Sequence, residues 1–143
     1  MKKKIIICSV LFIGLSMVSI LIWKNQNQSI VNQTVNGSAI VSVSVPNELS
    51  VLAQRGEGIF LAKCASCHGI NAAGKTEIAP PLVHKIYEPS HHGNESFQRA
   101  VAMGVRAHHW PFGNMPKVAG VTRAEVSTII TYVRELQRAN GID

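Results

Sequence analysis

Cys64-Ala65-Ser66-Cys67-His68 constrains this chain more than any other feature. The five residues read C-x-x-C-H, the spacing by which a chain holds haem covalently. Two thiols that add across the two vinyl groups of one porphyrin must stand about one helical turn apart. A histidine directly after the second thiol is then carried beneath the ring, where a neutral imidazole nitrogen ligates the iron. Two other chemistries share the cysteine spacing. A thioredoxin-like redox pair wants a strand–helix context, and no strand-rich core precedes Cys64. A zinc site wants a second pair of ligands at matching spacing. The only other cysteine, Cys8, lies in an apolar run near the N-terminus.

That run has its own meaning. Met1-Lys2-Lys3-Lys4 precedes an uncharged stretch from Ile5 to Trp23. As a helix it would span roughly 28 Å, close to the hydrocarbon thickness of a bilayer. It is longer than a secretory apolar region of about 7–15 residues. Gly37-Ser38-Ala39 has the shape of a cleavage site but lies too far downstream. Cys8 begins the run rather than ending it, so it does not look lipid-modified. Residues 1–24 are therefore expected to be an uncleaved signal anchor, an N-terminal transmembrane helix. Its lysines stay in the cytoplasm and the rest of the chain lies outside the inner membrane.

Charge excludes one class of partner. The chain has 143 residues and a formal charge of +6, but Lys2, Lys3, Lys4 and Lys24 flank the apolar run. From Pro46 onward ten Lys/Arg face eight Asp/Glu, a formal +2 that two haem propionates would cancel. No basic run remains to bind nucleic acid.

Residues 25–47 are expected to be a flexible polar linker. Lys24 to Asn47 holds five Asn and three Gln, with no aromatic or acidic residue. Such a stretch buries too little apolar area to order itself. Val41-Ser42-Val43-Ser44-Val45 alternates with a period of two but has no second strand to pair with. It reads as linker lying along the domain surface.

The folded domain is expected over residues 48–143. A first helix should run from about Leu49 to Cys64, with Leu52, Gly56, Phe60 and Cys64 as its buried stripe. On that stripe Gly56 lets another helix approach closely. A middle helix is expected from roughly Ser96 to Met103, stopped by Gly104, with Phe97, Ala100 and Val101 on one face. The last helix is the clearest. Thr122-Arg123-Ala124-Glu125 is a capping box, and Val126, Ile129, Ile130, Val133 and Leu136 follow a 3.6-residue period with Tyr132 beside them. Arg134 and Arg138 suit the negative end of the helix dipole, and Asn140-Gly141 ends the element. The segments around Ala79-Pro80-Pro81-Leu82 and from Val105 to Val121 are turn-rich.

From about Leu49 to Leu136 the chain resembles a small class I c-type cytochrome, in a membrane-anchored bacterial form. Beyond the five-residue motif, Pro80 and Leu82 follow His68 by twelve and fourteen residues, intervals that this family keeps. The resemblance implies an all-α cytochrome c fold, three to five helices around one covalently bound haem c. It implies that the Pro80 carbonyl accepts the outer imidazole proton of His68, and that Gly56 and Phe60 pack on Ile129 and Tyr132. It also makes Met115, followed by Pro116, the sixth iron ligand. Pro116 favours extended geometry at Met115, which suits a side chain projecting from a loop. Met103 is a rival in a helical stripe, where a core role is the ordinary one. His91, His92, His108 and His109 are further rivals, and bis-imidazole ligation would lower the potential. Trp110 is a candidate for the haem edge, with its N–H on a propionate. Arg106 could serve a propionate, and Lys75 and Lys117 could face an acidic partner.

The expected function is one-electron transfer in a respiratory chain, on the outer face of the cytoplasmic membrane, between a donor and an acceptor protein. Filled axial positions leave no site for substrate, so the chain is not expected to be an enzyme. Two alternatives differ. A five-coordinate iron with the loop histidines as distal acid–base groups would make an enzyme. The third reading is an electron-accepting subunit of a larger oxidoreductase.

Overall fold

The computed structural model describes residues 38–143. The expected transmembrane helix and the linker up to residue 37 lie outside the described residues. Among the described residues no helix is long and apolar enough to cross a membrane. They form four α-helices, α1 (Val51–Lys63), α2 (Ala65–His68), α3 (Asn94–Met103) and α4 (Arg123–Ala139), with 3-10 turns at Ile70–Ala72 and Lys85–Tyr87. Two isolated antiparallel bridges, Lys75 with Ala79 and Val105 with Met115, are the β-pairing present among these residues.

Helices α1 and α4 make the main interface. Ser50 caps α1, accepting from the Ala53 N–H at 3.2 Å and donating its hydroxyl to Glu135 Oε1 on α4 at 2.6 Å. The buried face of α1 is Ala53, Gly56 and Phe60. Leu52, expected on that face, is 58% exposed. A four-residue repeat overshoots the 3.6-residue pitch by about 40° at each step, so Leu52 and Phe60 cannot share a narrow stripe. Gly56 is where the helices touch. A Cβ there would lie 2.0 Å from the Thr128 carbonyl oxygen.

Helix α4 follows its sequence pattern. Thr122 Oγ1 accepts from the Glu125 N–H at 3.2 Å, and Glu125 Oε2 accepts from the Thr122 N–H at 2.8 Å. Val126, Ile129, Ile130, Tyr132, Val133 and Leu136 are all buried. Tyr132 meets Phe60 with ring centroids 5.6 Å apart, tilted by 55°, a pairing worth about 0.5–1.5 kcal/mol beyond burial. Helix α3 begins at Asn94, ahead of the expected start, and ends at Gly104 with φ +80°. It docks on α4 through Gln98, whose Nε2 donates to the Arg123 carbonyl at 3.0 Å and to Ser127 Oγ at 3.1 Å. Met103, expected in a core stripe, is 78% exposed on the last turn of α3.

The end of the expected flexible linker is held rather than free. The Ile40 and Val41 N–H groups both donate to the Ala73 carbonyl at 3.1 Å. Thr76 donates its N–H to the Ser38 carbonyl at 3.1 Å. Farther on, Ser44 and the Asn140 side chain exchange two bonds at 2.9 and 2.8 Å. Val43 packs on the core. Composition predicts flexibility for residues 38–47, but a polar segment orders when a folded surface offers partners for its backbone. It does run along the domain surface, as the sequence reading has it.

Candidate functional site

The two thiols and the imidazole sit where α1 gives way to α2. Cys64 ends α1, donating its N–H to the Phe60 carbonyl at 2.8 Å, and its φ of −121° breaks the helix. One further turn carries Cys67 and His68. Cys67 is exposed and Cys64 half-buried, and both are free thiols. Burial pushes the Cys64 thiol up to about 11, with the neighbouring Cys67 acting the same way. His68 is buried. Its Nδ1 lies 2.9 Å from the Pro80 carbonyl oxygen. A carbonyl only accepts, so Nδ1 carries the proton and Nε2 is left with the lone pair. Burial holds this imidazole below its ordinary range, while the Pro80 bond pulls the other way. The favoured species is the neutral one that binds a metal.

The chain between His68 and Pro80 is shaped to bring that carbonyl back. The His68 carbonyl accepts from the Gly74 N–H at 2.7 Å. A Cβ on Gly69, whose φ is +75°, would lie 2.5 Å from the Gly74 oxygen. Asn71 and Ala72 take left-handed φ values of 55° and 56°, a cost for residues with a Cβ. Their contacts hold them there. Asn71 Oδ1 accepts from the Tyr132 hydroxyl at 3.3 Å, and the Ala72 carbonyl accepts from the Leu82 N–H at 2.8 Å. The Leu82 carbonyl in turn accepts from Gln137 Nε2 at 2.8 Å. Pro80 and Leu82 are thus fixed against both α2 and α4. Lys75, expected to face a partner protein, is instead buried, with Nζ donating to the Ser66 carbonyl at 2.8 Å. Lys117 is exposed, as is Arg106.

Met115 closes a loop. Val105 and Met115 exchange backbone bonds of 2.9 Å in both directions. Gly104 makes the approach possible, since a Cβ there would lie 2.6 Å from the Met115 oxygen. The Met115 side chain is partly buried at the base of this loop. Trp110 lies within the loop, stacked on Phe112 at 5.7 Å and edge-on to His84 at 5.2 Å. Its Nε1 is buried and meets no acceptor at full hydrogen-bond geometry, although the Tyr87 hydroxyl is close enough to interact with it. The nearby Tyr87 hydroxyl is pushed up to about 12 by burial, with the Trp110 indole acting against that shift.

These residues fit a covalently held haem. Two free thiols a turn apart and an imidazole with its outer nitrogen already bonded make the donor set. A buried indole N–H without an acceptor costs about 1–3 kcal/mol, and a propionate oxygen is the acceptor that haem would bring.

Three contributors escaped the sequence reading. Arg134 is buried, donating to the Tyr87 carbonyl at 2.6 Å, to the His92 carbonyl and to Asn94 Oδ1 at 3.3 Å, with its guanidinium 5.0 Å from the Phe97 ring centroid. Gln137 is fully buried and donates to Leu82 and Tyr87. Both fall close to the register of the apolar stripe of α4, and a polar residue at core register was the available signal. His84 caps the 3-10 turn at Lys85–Tyr87 by accepting from the Ile86 N–H at 3.2 Å. Nothing in its neighbours announces that. The loop histidines do not scatter. His91, His92 and His109 come together in one cluster with His108 beside it.

The family model described as cytochrome c matches residues 53–137. No curated protein and no solved structure matches the chain.

Proposed function

The chain belongs to the cytochrome c family, which carries covalent haem c and serves haem-based electron transfer, and from that premise we propose a membrane-tethered single-electron carrier of a respiratory chain. Haem, when bound, supplies a one-electron iron couple. The chain's own residues set the conditions for it. Cys64 and Cys67 would hold the ring by thioethers. His68 would offer Nε2 to the iron, and the Pro80 carbonyl fixes the tautomer and makes the imidazole more basic. Met115 is the proposed second ligand, presented by a loop whose base is locked at Val105 and Gly104. Trp110 would give its N–H to a propionate, and Leu82 would supply apolar wall. The helical architecture of the described residues fits this fold. The apolar stretch from Ile5 to Trp23 is the proposed anchor, with the haem domain on the outer face of the membrane. There it would be kept close to its donor and acceptor proteins.

One observation carries the ligation: the 2.9 Å bond from His68 Nδ1 to the Pro80 oxygen, which leaves one buried imidazole nitrogen free to bind iron. The test is the oxidised visible spectrum with a redox titration. A methionine–iron charge-transfer band in the far red, lost in Met115→Ala together with a fall in potential, is the expected result. High-spin bands in the unmodified protein would sink the carrier in favour of an open iron.

A further inference from the structure

We propose that His91, His92 and His109 form a second metal site, separate from the haem motif, that binds one divalent transition-metal cation of the zinc or copper class. The residues come from two loops eighteen positions apart in sequence, yet each offers a nitrogen within 4.8 Å of the other two. His91 Nε2 and His109 Nε2 are 3.4 Å apart. Two metal–nitrogen bonds of about 2.05 Å, opened to the tetrahedral angle, set their nitrogens about 3.3 Å apart. The third ligand is prepared in the manner of metal-bound histidines. His92 Nδ1 lies 2.6 Å from the Ile86 carbonyl oxygen, so that nitrogen carries the proton and Nε2 the lone pair.

Both donor loops are rigidly held. The His91 and His92 N–H groups donate to the Glu88 carbonyl at 3.1 and 2.8 Å. Buried Arg134 clamps the same turn from α4 through the Tyr87 and His92 carbonyls. On the other side His108 Nδ1 donates to the Arg106 carbonyl at 2.8 Å. The Ala107 N–H donates to Asn114 Oδ1 at 2.9 Å, and the Val105–Met115 bridge closes the loop. Three imidazoles this close repel one another when protonated, so a cation that needs neutral nitrogens competes with protons for the cluster. The three-imidazole set selects the metal. Imidazole suits zinc, copper and nickel, whereas magnesium and calcium want oxygen. His91 and His109 are exposed, so a coordination position stays open to solvent.

The test uses the full-length, haem-loaded protein without a polyhistidine tag, titrated calorimetrically with zinc sulfate in the presence of excess magnesium. One zinc per haem is expected. Loss of outer-shell partners alone costs metal sites roughly 10–100-fold in affinity, so His91→Gln and His109→Gln should each weaken binding by at least about tenfold. Both positions are exposed, and circular dichroism will verify that the variants fold. The haem absorption spectrum should not change on adding zinc. Absence of saturable binding, or undiminished binding in both variants, overturns the site. A zinc-dependent change in the haem spectrum would also overturn it, since a cluster histidine would then belong to the iron. None of the first two failures touches the ligation assigned to His68 and Met115, which is read from the Met115→Ala spectrum.

Discussion

At the scale of single residues, the informative groups are those whose chemistry is left half-used. His68 spends Nδ1 on Pro80 and keeps Nε2. Trp110 buries an N–H that meets no acceptor at full hydrogen-bond geometry, with the Tyr87 hydroxyl beside it. Trp110→Phe keeps the ring body and deletes that donor, so its effect has opposite signs in the two forms. Without haem, the variant should be as stable as the parent or gain about 1 kcal/mol, because an unsatisfied buried group is gone. With haem, it should lower the reduction potential, because a propionate that loses its donor presents more negative charge to the iron. Paired denaturation curves and redox titrations read both effects, and an unchanged potential would remove Trp110 from the haem edge. Cys64, His68, Pro80 and Leu82 were legible in the sequence because short, fixed intervals connect them. Lys75 was not, because its burial depends on the Ser66 carbonyl across a folded loop.

At the scale of elements, α1 and α4 are bound together by one absent side chain. Gly56→Ala places a methyl 2.0 Å from the Thr128 oxygen, against backbone that cannot yield cheaply. Overpacking of this kind costs about 1–3 kcal/mol, occasionally more. Thr122→Ala removes the hydroxyl of the capping box, a loss of about 1 kcal/mol. Chemical denaturation should therefore rank Gly56→Ala below Thr122→Ala, and both below the parent. Equal stability of Gly56→Ala and the parent would mean that the helices are farther apart than described. The start of α4 was readable because a cap is a local pattern of four residues. The stripe of α1 lies one position from Leu52, at Ala53, because apolar residues fall on several sides of this helix and fix its buried face poorly.

At the scale of the whole molecule, burial of His68 makes stability depend on pH. Its folded-state pKa is depressed, mainly by burial. The unfolded chain therefore binds the proton more readily, and stability rises with pH through that window. The contribution is fully present above the unfolded value of about 6.5 and is lost as pH falls through the lower folded value. Equilibrium unfolding of the haem-free protein should show a midpoint that drops as pH is taken from 7.5 to about 5, with the drop reduced in His68→Asn. A flat profile would place His68 in solvent.

The sequence by itself determined what a few neighbouring residues can specify: the attachment motif, the proline and leucine after it, the capping box and the apolar period of α4. Those signals are local, so covalent spacing alone carries them. Tertiary structure decided everything that needs two distant segments to meet. Residues 38–47 were polar linker by composition until Ala73 and Asn140 gave them partners. Arg134 was a helix-end charge until the Tyr87 and His92 carbonyls closed around it. His91, His92 and His109 were loop histidines until the fold set their nitrogens side by side. Contact between such segments depends on the path of the chain in space, and no interval along it encodes that.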